Sequence, residues 1–159
     1  MVERLGEEVK AMKRRGNDKK VYCRLVNDQT ALVALPGPEQ SEWSGGLYTL
    51  VVKCEKGMKK ILKYFFNPFW SEKGWKNIPK FLDYPATAPT VTFSPPIAHP
   101  NVTTDGAVFI PYLEQWSKKK STLTGLITSI YKLMSQPLLD QAVNLHAVYE
   151  FTAQSLSVN

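Results

Sequence analysis

The chain has 159 residues, 43% of them hydrophobic and 21% charged. That length suits one domain, or one domain plus an elaboration, and it folds without needing a disulfide or metal staple. Twenty Lys and Arg against 14 Asp and Glu give a net charge of +6; such a composition excludes a disordered chain, a coiled coil and a collagen, and no uncharged apolar run is long enough for a membrane-spanning helix.

The segment Met1–Glu8 carries acids where a signal or transit peptide has none, so the expected compartment is cytoplasm or nucleus. Residues 2–15 read as an amphipathic helix: Val2, Leu5, Val9 and Met12 recur at spacings of three and four. Lys10, Lys13, Arg14 and Arg15 crowd its end, where cations suit the macrodipole, and Gly16 stops it. Val21–Val26 is a predicted strand closed by the turn residues Asn27-Asp28. Ala31–Leu35 is a second, ended by Pro36-Gly37-Pro38, and Gly45-Gly46 opens a third at Leu47–Val52. Short strands parted by turns imply an antiparallel meander.

The window Lys53–Lys80 is different in kind. It holds eight lysines and two acids, Glu55 and Glu72, so the whole excess charge of the chain sits there. Tyr64, Phe65, Phe66, Phe69, Trp70 and Trp75 are interleaved with the lysines. Such a pattern attracts anionic partners such as a phosphate backbone or lipid headgroups. It equally describes a solvated hairpin whose aromatics pack inward. Pro68, Gly74 and Pro79 argue against one long helix.

A proline-pinned stretch, Tyr84–Pro89, leads into a fourth strand, Thr90–Phe93. Ser94–Trp116 is irregular. Thr122–Ser135 is the clearest helix, with a stripe through Leu123, Leu126, Ile127, Ile130, Leu133 and Met134, a cap at Ser121 or Thr122, and a stop at Pro137. Asp140 is the expected cap of a last helix through Ala142, Ala147, Phe151 and Leu156. The order gives an α+β fold, with helices at the ends of a four-stranded antiparallel sheet. The cysteines, Cys23 and Cys54, make no disulfide framework, and no Cys or His pair has the spacing of a zinc site. No metal or cofactor is expected.

Tyr84-Pro85, Pro89, Phe93, His99-Pro100-Asn101, Gly106, Leu113 and Trp116 follow one another as in the ubiquitin-conjugating (E2) fold, which residues 2–53 and 82–157 resemble. The resemblance implies a single UBC-like domain over 1–159: N-terminal helix, four-stranded antiparallel meander, two C-terminal helices, and a basic-aromatic insertion at about 54–81. It also implies a catalytic cysteine eight residues after the Asn of His-Pro-Asn. Counting from Asn101 reaches Phe109, followed by Ile110-Pro111. Thioester chemistry needs a thiolate that attacks and leaves again, and a phenyl ring supplies neither.

The chain therefore resembles a catalytically inactive E2 variant. Its catalytic residues are expected to be none, with Phe109, Asn101, His99 and Pro100 forming a vestigial site in which the last three order the loop. The expected partners are an active E2 or ubiquitin or a ubiquitin-like protein, with an E3 ligase as a further partner. The expected partner-binding residues are Phe93, Arg14, Arg15, Lys59, Lys60 and Trp70. Two alternatives stand beside this reading. Cys54, among lysines that would lower a thiol pKa, could serve an active conjugating enzyme. Residues 53–80 could grip nucleic acid or an anionic membrane.

Overall fold

Alternation decides the sheet. In Thr30–Pro36, Ala31, Val33 and Leu35 are fully buried, while the residues between them are half-exposed. The period of two puts every second side chain on one face. A computed structural model describes residues 2–14, 21–54 and 84–157, with side chains over 4–12, 21–54 and 84–154. Within it, strands β1 (Tyr22–Asn27), β2 (Thr30–Pro36), β3 (Leu47–Lys53) and β4 (Thr90–Phe93) pair in sequence order, each antiparallel to the last. The register carries the inner face across the sheet. Cys23 lies opposite Val33, Val33 opposite Leu50, and Leu50 opposite Phe93; Ala31, Val52 and Val91 form the neighbouring row.

Helix α1 (Val2–Arg14) lays Leu5, Val9 and Met12 into the core. A short helix α2 (Pro111–Glu114) begins with a proline, whose missing N–H costs nothing at a first helical position. Helix α3 (Leu123–Ser135) buries all six residues of its apolar stripe against the same core. Thr122 caps it: its side-chain oxygen accepts from the Gly125 N–H at 3.1 Å. Helix α4 (Leu145–Ser157) closes the chain. No helix among the described residues is long and apolar enough to cross a membrane.

The last helix does not start where its sequence suggests. Leu139–Gln141, around Asp140, forms one 3-10 turn, and Ala142 is extended. The backbone N–H groups of Val143 and Asn144 both donate to the Pro100 carbonyl, at 2.8 and 3.0 Å. That pair of bonds draws the chain out of helical geometry. α4 begins three residues later than Ala142, with Asn144 Oδ1 accepting from Ala147 N at 3.2 Å. The short α2 was also not legible beforehand, because its four residues give no periodic signal.

One carboxylate joins three elements. Glu8 on α1 accepts from the Tyr84 hydroxyl at 2.6 Å and from Leu123 N, the first residue of α3, at 2.8 Å. Its other oxygen takes the Arg4 guanidinium at 2.9 Å, and Arg4 reaches on to the carbonyls of Lys118 and Ser121. A negative charge at the N-terminus of α3 also suits the helix dipole. Glu8→Ala is expected to lower the unfolding free energy by about 2–3 kcal/mol, and Tyr84→Phe by about 1 kcal/mol. Urea titration of both variants checks this; equal losses would mean that the bonds to Leu123 and Arg4 contribute nothing.

Candidate functional site

The loop from His99 to Phe109 is built from the inside out. It begins with a histidine that has no access to solvent. Asn101 N donates to His99 Nδ1 at 3.0 Å, and a backbone amide can only donate. The proton therefore sits on Nε2, which donates to the Leu133 carbonyl of α3 at 3.1 Å. Trp43, from the β2–β3 connection, covers the imidazole at a ring separation of 4.7 Å. Burial pulls the pKa of His99 down from 6.5 to about 4, against the Leu133 hydrogen bond that raises it. At neutral pH this ring is uncharged and fully engaged.

Pro100 is buried next to it, and its carbonyl holds Val143 and Asn144. The Asn101 side chain, also without solvent access, makes three bonds to one segment. Nδ2 donates to the carbonyls of Leu138 and Gln141, at 2.8 and 3.1 Å, while Oδ1 accepts from Leu138 N at 2.9 Å. The amide is thereby turned toward residues 138–141.

From Asn101 the chain doubles back. Val102 bridges Val108, and Thr92 of β4 bridges Ala107. The Thr103 hydroxyl bonds the Asp105 carboxylate and accepts from Ala107 N, and that hydroxyl holds the Asp105 carboxyl below its ordinary pKa. Gly106 makes the turn with φ of +94°, and a Cβ there would lie 2.4 Å from the Phe93 carbonyl oxygen. The conformation and the contact both demand glycine.

Phe109 follows, its N–H donating to the Asn101 carbonyl at 3.0 Å. Val108 and Ile110 on either side are buried, so the alternation turns Phe109 outward, 48% exposed. The loop thus brings His99, Pro100, Asn101 and Phe109 together, with the first three inside and the ring at the surface. What this arrangement offers chemically is an ordered ledge ending in an apolar side chain.

Two expectations need correction. Phe93 is 1% exposed and meets Tyr48 edge-on inside the core, so its ring is unavailable to a partner. Its place in the inward register of β4 is the reason. The lysines around Cys54 were expected to lower its pKa. Instead the thiol is buried at the end of β3, and burial, helped by the Glu8 carboxylate, pushes it up to about 12. Arg15, Lys59, Lys60 and Trp70 lie outside the described residues, as does the side chain of Arg14, the last residue of α1. Sequence reasoning missed Trp43 and the 138–144 segment, because their contacts with the loop span too much chain for any spacing to announce them.

A family model described as ubiquitin-conjugating enzyme matches residues 66–157. The Arabidopsis thaliana protein named Ubiquitin-conjugating enzyme E2 3 is 26% identical over 124 residues, which cover 77% of this chain and 65% of that protein. The chain thus spans less than two thirds of the length of this curated relative. Among solved structures, human Ubiquitin-conjugating enzyme E2 G1 superposes with a TM-score of 0.61 at 20% identity, over 84% of this chain and 93% of that one. That likeness concerns the fold, including the α+β architecture and the antiparallel meander.

Stability should follow the burial of His99. The unfolded chain takes up a proton near pH 6.5, whereas the folded chain resists until about 4. Between those values the unfolded state binds more protons, so stability is full above about 6.5 and is lost as the pH falls toward 4, by about 3 kcal/mol from this group. Urea unfolding of the chain and of His99→Gln at pH values across that window checks it: the variant should be less stable at neutral pH but show a flatter slope. Iodoacetamide near pH 8 should leave Cys54 unmodified in the folded chain and alkylate it in urea; rapid labelling of the folded protein would contradict the burial argument.

Proposed function

The chain belongs to the ubiquitin-conjugating enzyme family, and from that premise we propose that it is a member that binds without transferring: a scaffold or accessory subunit in a ubiquitin or ubiquitin-like conjugation pathway. The observation that carries this reading is Phe109. It stands on the solvent side of the loop, eight residues after Asn101, where the resemblance implies a cysteine, and no cysteine occurs between His99 and Ile110. A transfer reaction that proceeds through a thioester needs a sulfur nucleophile, and neighbouring hydrogen-bond donors cannot stand in for it. The side chains of His99 and Asn101 support the same reading, since both are committed to holding backbone.

The proposed partners are an active E2, ubiquitin or a ubiquitin-like protein, with an E3 ligase as a further one, and the proposed compartments are cytoplasm and nucleus. An active enzyme working through Cys54 has lost its motive, because that thiol is buried and its pKa raised. The lysine-rich segment 53–80 still favours a second role in gripping an anionic surface, on the strength of its charge alone.

Incubation with E1, ATP and ubiquitin, or with the cognate E1 of a ubiquitin-like protein, is expected to give no adduct that disappears on reduction. A DTT-sensitive band would overturn the proposal, and its loss in Cys54→Ser would assign it to that thiol. Affinity capture with the intact chain should retain an active E2 or a ubiquitin-like protein. Repeating it with the insertion, residues 54–81, removed separates partners of the E2-like domain from those of the insertion.

A further inference from the structure

Of the nine large hydrophobic side chains that stand exposed among the described residues, four fall in one short stretch: Leu139, Val143, Leu145 and Tyr149. Single apolar residues scattered over a surface need no explanation, but a run of them marks a face that something covers. Two of the four lie on α4 and are the most exposed of the nine, Leu145 at 79% and Tyr149 at 74%.

Helix α4 meets the rest of the protein along one side only. Ala147 is buried and Val148, Phe151 and Thr152 are half-buried, whereas Leu145, His146, Tyr149, Glu150 and Ala153 are exposed. Helical geometry sorts the exposed residues into two rows on the outward side. Leu145 and Tyr149, four apart, form an apolar row. His146 and Glu150, also four apart, form a polar row beside it, with His146 Nδ1 3.6 Å from Glu150 Oε1 and the two oppositely charged when the imidazole is protonated.

Glu150 is short of positive charge. It lines a groove of about 220 Å³ together with Glu42, Trp43, Pro100 and Phe151. Burial first, and then the Glu150 carboxylate, hold the Glu42 carboxyl above its ordinary pKa. A donor that reaches Glu150 from outside the chain is therefore favoured.

The two rows select the partner. Setting a second α4 face to face with the first, running antiparallel, is a two-fold rotation that keeps each row on its own side and reverses its direction. Leu145 then meets the partner's Tyr149, and Tyr149 meets the partner's Leu145. In the neighbouring row His146 meets the partner's Glu150, and the reverse. The midpoints of the rows differ by one residue, about 1.5 Å along the axis, so one register serves both. A parallel pair would instead press the apolar row of one copy against the polar row of the other.

We propose that α4 is a contact between two copies of this chain, which associate through antiparallel helices with Leu145 against the partner's Tyr149 and His146 against the partner's Glu150. The surface is self-complementary, as a two-fold interface requires. Leu139 and Val143 continue the exposed apolar run up to the start of the helix. The contact centres on a single helix pair, so the dimer is weak and reversible, at the small end of specific interfaces.

Sedimentation equilibrium of the full chain from about 10 μM to 1 mM is expected to show the average mass rising from 18.0 kDa toward twice that value. Leu145→Glu and Tyr149→Glu, with folding checked by circular dichroism, should each raise the dissociation constant by about tenfold or more. His146→Glu should also weaken association, because it sets like charges opposite one another. Adding Glu150→Lys to His146→Glu restores opposite charges in the row and should recover the dimer. A mass that stays at 18.0 kDa throughout, a dimer indifferent to Tyr149→Glu, or a double variant as weak as His146→Glu alone would each overturn the proposal. No E1 or ubiquitin enters the experiment, so its outcome leaves the non-transferring reading untouched.

Discussion

The side-chain amide of Asn101 ties together parts of the chain that are far apart in sequence. It exchanges a pair of hydrogen bonds with the backbone of Leu138 and gives a third to Gln141, while the Asn101 side chain itself has no solvent access. Buried amides are costly to leave unmatched, so the segment 138–141 has to come to the loop and stay there. The Pro100 carbonyl extends the same seam to Val143 and Asn144. His99 fixes the other side, linking the loop to α3 through one imidazole. Among the described buried side chains no nitrogen or oxygen lacks a partner. The position of Phe109 is a consequence, since its N–H is held by the Asn101 carbonyl and its neighbours are pinned in the core.

The rest of the fold supplies a rigid base for that seam. The sheet gives rows of inward side chains, α3 covers them with its six-residue stripe, and α1 adds Leu5, Val9 and Met12. Glu8 then locks α1 to the start of α3 and to Tyr84. Tyr84 and Trp116 pack together, and the Trp116 indole donates to the Pro85 carbonyl at 2.8 Å. The residues that flank the lysine-rich insertion are thus part of the core: Cys54 on one side is 6% exposed, and Tyr84 on the other is equally buried.

Much of this was legible in the sequence, and the reason differs from element to element. The period-two strands and the stripe of α3 declare themselves because burial on one face leaves a local pattern. The His-Pro-Asn loop was legible only through resemblance, since three residues carry no physical signal of their own. Phe93 shows where a sequence reading goes astray: an aromatic within a familiar motif reads as a contact residue, but its register in β4 sends it inward. Cys54 shows the opposite error. Lysines nearby in sequence suggested an activated thiol, while burial and an acid from α1, far away in the chain, reverse the shift.

The sequence alone determined the family resemblance, the meander, the order of the three longer helices, the placement of charge in one window, and the absence of sulfur at position 109, because each of these is a property of residue identity or local spacing. Tertiary structure decided which side chains face solvent, that Asn101 and His99 spend their hydrogen bonds on the scaffold, and that Cys54 is shielded. Those outcomes depend on the meeting of segments such as 99–101 with 133–144, and the desolvation and hydrogen bonding that follow arise only when distant parts of the chain are packed together.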